Sequence, residues 1–405
     1  MKYVVVLGDG MADWPMEQLK GGTPLSAAKT PVMDALAKKS EIGMVATIPE
    51  GMAPGSDTAN LSVMGYDPKK YYTGRSPLEA LSIGVDMKDT DVVYRCNLVT
   101  LSEEDLPYEE QTILDHSSDE ISTQDAQILL QAVCREIENE TYRFYTGTSY
   151  RHCMIWDKGQ VLELTPPHDI LTRKIGEYLP QDAVLRHMQE RSYEILKEHP
   201  LNLERKKKGL RPANSLWFWG AGTKPALDSF EEIYHKKGVM ISAVDLLKGI
   251  AVGAGMDRMI VEGANGGLHT NYEGKAKAAV EALTEKGYDF AYIHVEAPDE
   301  MGHQGSVEKK IQAIEYLDER VIRLVKEGLD ASGEPYRMLI LPDHPTPIQV
   351  RTHVAEPVPY LLYDSTAPGD HTWSYNEKEA EESGNRIAHG WDLMGHLFSG
   401  HVGEK

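Results

Sequence analysis

The chain has 405 residues, with 42 Lys+Arg against 63 Asp+Glu, a formal net charge of −21. A balance this acidic argues against coating nucleic acid or a polybasic association with anionic membrane, both of which need cationic surface. Hydrophobic residues at 41% and charged residues at 26% describe a soluble globular protein long enough for two or three domain-sized units.

The first predicted element is Val4-Val5-Val6-Leu7, a β-branched run ended by Gly8-Asp9-Gly10. It reads as a buried parallel strand with polar residues at its carboxyl end. The run is too short for a signal-peptide core, and no stretch reaches membrane-spanning length, so a cytoplasmic protein is expected. Next, Pro54-Gly55-Ser56-Asp57-Thr58 reads as a loop turning into a helix. Ser56 there is either an N-cap or, beside free amides and a metal, a nucleophile toward phosphate. From Asp86 to Leu210 the pattern breaks into shorter units, with helices around 122–140 and 181–197 and a basic helix end at 205–208. Cys96, Cys134 and Cys153 lack the spacing of a zinc or disulfide framework and read as reduced thiols.

After Trp217-Phe218-Trp219 the strand–helix rhythm resumes, with helices expected over 272–286 and 307–327 and strands at 290–295, 338–341 and 358–362. This alternation predicts an α/β fold with a mainly parallel sheet flanked by helices, interrupted by a smaller inserted α+β domain. The expected division is 1–85 with 213–405, and 86–212. Asp9, Asp299 and Asp343 all follow strand ends, where such sheets collect their chemistry. Asp299 stands four residues before His303, His344 adjoins Asp343, and His353 follows shortly after. Carboxylates and imidazoles together suit a divalent cation.

Four segments carry a resemblance: Gly8-Asp9-Gly10-Met11-Ala12-Asp13, Pro54-Gly55-Ser56-Asp57, Ala297-Pro298-Asp299-Glu300-Met301-Gly302-His303, and Asp343-His344-Pro345-Thr346-Pro347. In this order they resemble the archaeal-type cofactor-independent phosphoglycerate mutases of the alkaline phosphatase superfamily, and the likeness runs from Tyr3 to about Tyr363. The resemblance implies an alkaline-phosphatase-like fold and two divalent ions per chain (Mn, Zn or Mg), with no 2,3-bisphosphoglycerate required. One ion would be held by Asp299, His303 and His353, the other by Asp9, Asp343, His344 and the Ser56 hydroxyl. Ser56 would carry a phosphoserine between 3- and 2-phosphoglycerate. The inserted domain would bind this small phosphorylated hydroxy acid through Arg95, Arg151, His152, Arg211 and Lys224, and closure would exclude water.

Two positions depart from the family pattern. Asp119-Glu120 stands where a Gly-His pair is expected, with His116 nearby, and Pro345 replaces a small hydroxyl residue. The alternatives are a homoserine kinase-like phosphotransferase of the same family, a metal-dependent phosphatase, or an inactive metal-stabilised scaffold. The phosphate loop GxxxxGK[ST] of conventional kinases is absent. Composition and motifs leave the oligomeric state open.

Overall fold

The computed structural model describes residues 1–400 and divides into two compact units, Met1–Tyr72 with Ala226–Lys405, and Thr73–Pro225. In chain order the strands are β1 (Lys2–Gly8) and β2 (Glu41–Val45), then β3 (Val92–Leu101), β4 (Ile113–Asp115), β5 (Tyr142–Tyr145), β6 (Arg151–Trp156) and β7 (Ser215–Thr223). The last six are β8 (Gly238–Ile241), β9 (Asp257–Met259), β10 (Phe290–Val295), β11 (Tyr336–Leu341), β12 (Val358–Asp364) and β13 (Arg386–Ile387).

The first unit is built on an eight-stranded sheet ordered β13-β2-β12-β11-β1-β10-β8-β9. From β11 to β9 every pairing is parallel; β12 runs antiparallel to both β11 and β2. The central strands are apolar and buried on both faces, as a parallel sheet covered by helices requires. The helices Tyr272–Thr284 and Val307–Leu317 place Ala276, Ala279, Ala313, Ile314 and Leu317 against Val4, Val6, Ile293 and Ile340. The expected continuous helix over 307–327 is interrupted by a π-helical turn, Asp318–Ile322, before Arg323–Ser332.

Register aligns the ends of three adjacent strands. Gly8 pairs with Val295, and Leu7 with Leu341. The segments after β1, β10 and β11 therefore leave the sheet side by side, and these are the segments that carry Asp9, Asp299 and Asp343.

The second unit holds a five-stranded, antiparallel sheet with β3 at its centre, paired to β4, β6 and β7. Helices Thr123–Ile137 and Ala183–Leu196 pack on one face, around Tyr94, Cys96, Leu98, Met154 and Phe218. The helix Arg75–Ser82 lies in this unit, where Ala80 packs with Val93, Cys153 and Ile155. The basic helix end splits: Arg205 is buried and donates to the carbonyls of Arg211 and Ser118, while Lys206 and Lys207 pair with Glu103 and Glu204 at the surface. All three cysteines are free. No helix among the described residues is long and apolar enough to cross a membrane.

Candidate metal and phosphoryl-transfer site

Asp9, Asp299 and Asp343 are 3%, 7% and 0% exposed, at adjacent strand ends. Gly10 locks the three loops together. Its backbone sits at φ +62°, and its N–H donates to Asp343 Oδ1 at 3.1 Å. A Cβ there would come within 2.6 Å of Asp299 Oδ1 and 2.5 Å of Thr346 Oγ1, so only glycine fits. Buried Lys310 adds a second tie, donating to Asp13 Oδ2 and to the carbonyls of Ala12 and Thr346 at 2.9–3.1 Å.

The side chains form two adjoining groups. His303 Nε2 and His353 Nε2 each stand 3.2 Å from an Asp299 oxygen and 3.0 Å from each other. His344 Nε2 lies 3.4 Å from both Asp9 Oδ1 and Asp343 Oδ2, and 3.0 Å from the Ser56 hydroxyl. The His344 and His353 rings stack at 3.8 Å, joining the two groups. One possible ligand set is Asp299, His344 and His353; another is Asp9, His294 and Asp343, with ligand atoms within 4.8 Å in each set.

Ser56 opens the helix Ser56–Val63, but Gly55 is the N-cap and the serine side chain makes no capping bond. The hydroxyl is thus free to face His344 at the positive end of a helix. Asn60, one turn on, donates to the Ser56 carbonyl and to Asp343 Oδ2, and accepts from the buried Tyr292 hydroxyl at 2.6 Å.

His294 belongs to this site and is a residue that motif reading passes over. It is fully buried in β10, 2.8 Å from Asp9 Oδ2 on one side and 3.1 Å from the Ser242 hydroxyl on the other. A polar residue inside the run Phe290-Ala291-Tyr292-Ile293-His294-Val295 is the one sequence signal that could have revealed it. Thr346 lies inside the Asp343–Pro347 motif but carries no expected role there. Its hydroxyl donates to Asp299 Oδ1 and lies 3.2 Å from His344 Nδ1, so a hydroxyl is present although Pro345 provides none.

Burial, followed by the charges of Asp343 and Asp299, raises the Asp9 carboxyl well above the ordinary range. Burial also pushes Asp299 upward, but hydrogen bonds from His303 and His353 outweigh it and hold that carboxyl well below the usual value. His303 is lifted to about 9, chiefly by its bond to Asp299. Burial lowers His344 and takes His294 down to about 3, so both rings are neutral at physiological pH. Asp9 Oδ1 is buried and has no hydrogen-bond partner. Converging carboxylates, neutral imidazoles and an orphaned carboxylate oxygen fit a divalent cation.

The residues expected to bind substrate all lie in the second unit. Arg95 gives its Nε to Glu79 at 3.0 Å and stacks on Trp219 at 4.3 Å, and Arg151 lies over Tyr150 at 5.1 Å. His152 is 4% exposed and its Nδ1 accepts from the Gly147 N–H. Arg211 is paired with Asp115 at 3.2 Å, and Lys224 stands 3.8 Å from Asp89.

A family model described as 2,3-bisphosphoglycerate-independent phosphoglycerate mutase matches residues 37–202. A Methanosarcina barkeri protein named 2,3-bisphosphoglycerate-independent phosphoglycerate mutase is 47% identical over 404 residues, spanning 98% of this chain and 99% of that one. The chain belongs to the 2,3-bisphosphoglycerate-independent phosphoglycerate mutase family. Among solved structures, a Pyrococcus horikoshii protein superposes with a TM-score of 0.80 at 31% identity, covering 98% of this chain and 96% of that one. The cofactor-independent phosphoglycerate mutase of Thermoplasma acidophilum gives 0.64 at 25% identity, with 98% and 99% covered.

Membership of this mutase family implies metal ions as cofactors, in keeping with the donor set. The departure at Asp119-Glu120 lies in a tight turn where Ser118, Asp119 and Glu120 all have positive φ. The turn is closed by Asp115, whose carboxylate accepts from the Ser117 and Asp119 N–H groups. Glu120 is exposed.

Proposed function

We propose that this chain interconverts 3- and 2-phosphoglycerate through a phosphoserine at Ser56, with two divalent ions and without free 2,3-bisphosphoglycerate. The observation that carries the reading is the Ser56 hydroxyl. It caps nothing, opens a helix, and lies 3.0 Å from His344 Nε2 beside the Asp9 and Asp343 carboxylates.

One ion is assigned to Asp299, His303 and His353, the other to Asp9, Asp343, His344 and Ser56. Divalent cations held by these groups supply a lowered pKa for the serine hydroxyl and neutralisation of phosphoryl charge. Ser56 Oγ forms the new bond to phosphorus while the bond to the substrate's 3-oxygen breaks. The serine gives up one proton and the departing oxygen takes up one, so the half-reaction is proton-neutral. The helix start directs its amides toward the transferred group. Arg95 and Arg151 retain the glycerate through its carboxylate while it turns. The 2-hydroxyl then attacks the phosphoserine and Ser56 leaves, by the same exchange in reverse. His294 and Thr346 act by fixing Asp9, Asp299 and His344 in place. Such an enzyme belongs in the cytoplasm, where its phosphorylated substrate is found.

Phosphorus NMR tests the reading. Metal-loaded protein is given 3-phosphoglycerate without bisphosphoglycerate and, in parallel, homoserine with ATP. Formation of 2-phosphoglycerate is expected; phosphohomoserine without 2-phosphoglycerate assigns the alternative phosphotransferase activity, and inorganic phosphate alone assigns a phosphatase.

A further inference from the structure

One face of the second unit's sheet is not a continuous core. Directly opposed residues in an antiparallel pair share a face, and β3 sets Arg95 against Cys153 and Trp219, and Asn97 against Arg151 and Trp217. Toward one end of this face Val93, Cys153 and Ile155 make one apolar cluster; toward the other, Val99 and Trp217 belong to a second. Between them lies a polar notch of Arg95, Asn97, Arg151 and Trp219. The Trp219 indole N–H donates to Asn97 Oδ1 at 3.2 Å, which fixes the ring under the Arg95 guanidinium.

Two imidazoles border the notch. The His168 ring meets Trp219 edge-on at 5.3 Å, and His116 stands 6.0 Å from His168 and 5.8 Å from Tyr150, the ring beneath Arg151. Arg75 reaches the same place, sharing Glu79 with Arg95. Arg75, Arg95, Arg151 and Arg211 against Glu79, Asp115 and Asp169 leave a formal 4 − 3 = +1 before either histidine is counted, in a protein of −21. Each imidazole has its own acid alongside, Asp115 at 4.0 Å from His116 and Asp169 at 3.7 Å from His168. His116 Nδ1 is buried with no hydrogen-bond partner. Neither ring is part of the hydrophobic core, since the side chains are 36% and 47% exposed.

We propose that His116 and His168 position the substrate's carboxylate in this notch, together with Arg95 and Arg151. The proposal rests on the mutase reading for the identity of the substrate. The chemistry recognised is a small planar anion: stacked Arg95 offers terminal N–H groups that no carboxylate of the unit takes, and the imidazoles add N–H donors at its rim. Arg211 is neutralised by Asp115 and contributes by holding the turn beside His116. The two histidines are substrate-positioning groups, and the phosphoryl-transfer residues are those of the metal site.

The test compares wild type, His116→Gln, His168→Gln and the double variant as metal-loaded full chains. Expected is a rise in KM for 3-phosphoglycerate of about tenfold for each single variant, with kcat changed less than about threefold. Inhibition by inorganic phosphate, which lacks the carboxylate, stays unchanged. Unchanged KM, or an equal loss of phosphate inhibition, overturns the proposal. Calorimetric binding of 3-phosphoglycerate separates it from the mutase reading. If wild type binds the compound without turning it over, the mutase reading fails, while weaker binding by the variants still supports the notch and unaltered binding overturns it.

Discussion

His294 makes no bond to substrate in the proposed reaction, yet it sits where Asp9 must be aimed. Burial keeps the ring neutral, and its two nitrogens are committed to Asp9 and Ser242. Outer partners of this kind set the orientation of a ligand carboxylate. Replacing His294 with Ala is therefore expected to weaken divalent-metal binding about 10- to 100-fold, read by calorimetric titration of the metal-free protein. Asp9, Asp299 and Asp343 were legible as candidate ligands because each follows an apolar run, and the last two also stand near histidines. His294 was not, because its meaning depends on the Leu7–His294 pairing between β1 and β10. Strands 287 residues apart leave no local pattern for that contact. Ser56 was legible as a helix-start residue, but only the structure shows that Gly55 occupies the N-cap position and that the serine hydroxyl faces His344 instead.

At the scale of elements, apolar spacing identified a helix over 307–327 but not the π turn within it. Asp318, which opens that turn, accepts from the Val32 and Met33 N–H groups at the start of the helix Pro31–Ala37. Burial pushes the Asp318 carboxyl up to about 6, against the lowering effect of those two bonds. A carboxyl raised on folding binds its proton more tightly in the native state, so stability falls as pH climbs from the ordinary carboxylate range through about 6. Asp318→Asn removes that slope. Thermal midpoints measured at pH 4.5 and 7.5 are expected to move in favour of the variant, relative to wild type, by roughly 2–4 °C at the higher pH. In the second unit, the polar notch was not readable in the sequence. It arises from the registers of β6 and β7 with β3, and from His116 and His168 on segments far apart in sequence.

For the molecule as a whole, the charge of −21 conceals an internal division of labour. Asp9, Asp299 and Asp343 are buried metal-ligand candidates, whereas much of the remaining acid is on the surface. Mutual repulsion among buried carboxylates makes the metal-free protein less stable than the loaded one. Chelation is expected to lower the thermal midpoint, and restoring metal at about 100 times its Kd should return ~2.7 kcal/mol per site. The α/β class and the inserted unit were visible as a change of rhythm along the chain. The limits of that unit were harder to read, because Arg75–Ser82 has a helical pattern that either unit could use; its packing through Ala80 onto Val93 and Ile155 is tertiary information.

The central claim is that phosphate passes through Ser56, and acid quenching of the working enzyme addresses it directly. Metal-loaded protein is mixed with 3-phosphoglycerate, quenched within the first turnovers, digested and analysed by mass spectrometry. The account predicts one phosphate on the peptide containing Ser56, absent from Ser56→Ala, whose turnover falls by at least about a thousandfold. Phosphate on another residue, or full mutase turnover by Ser56→Ala, would contradict it.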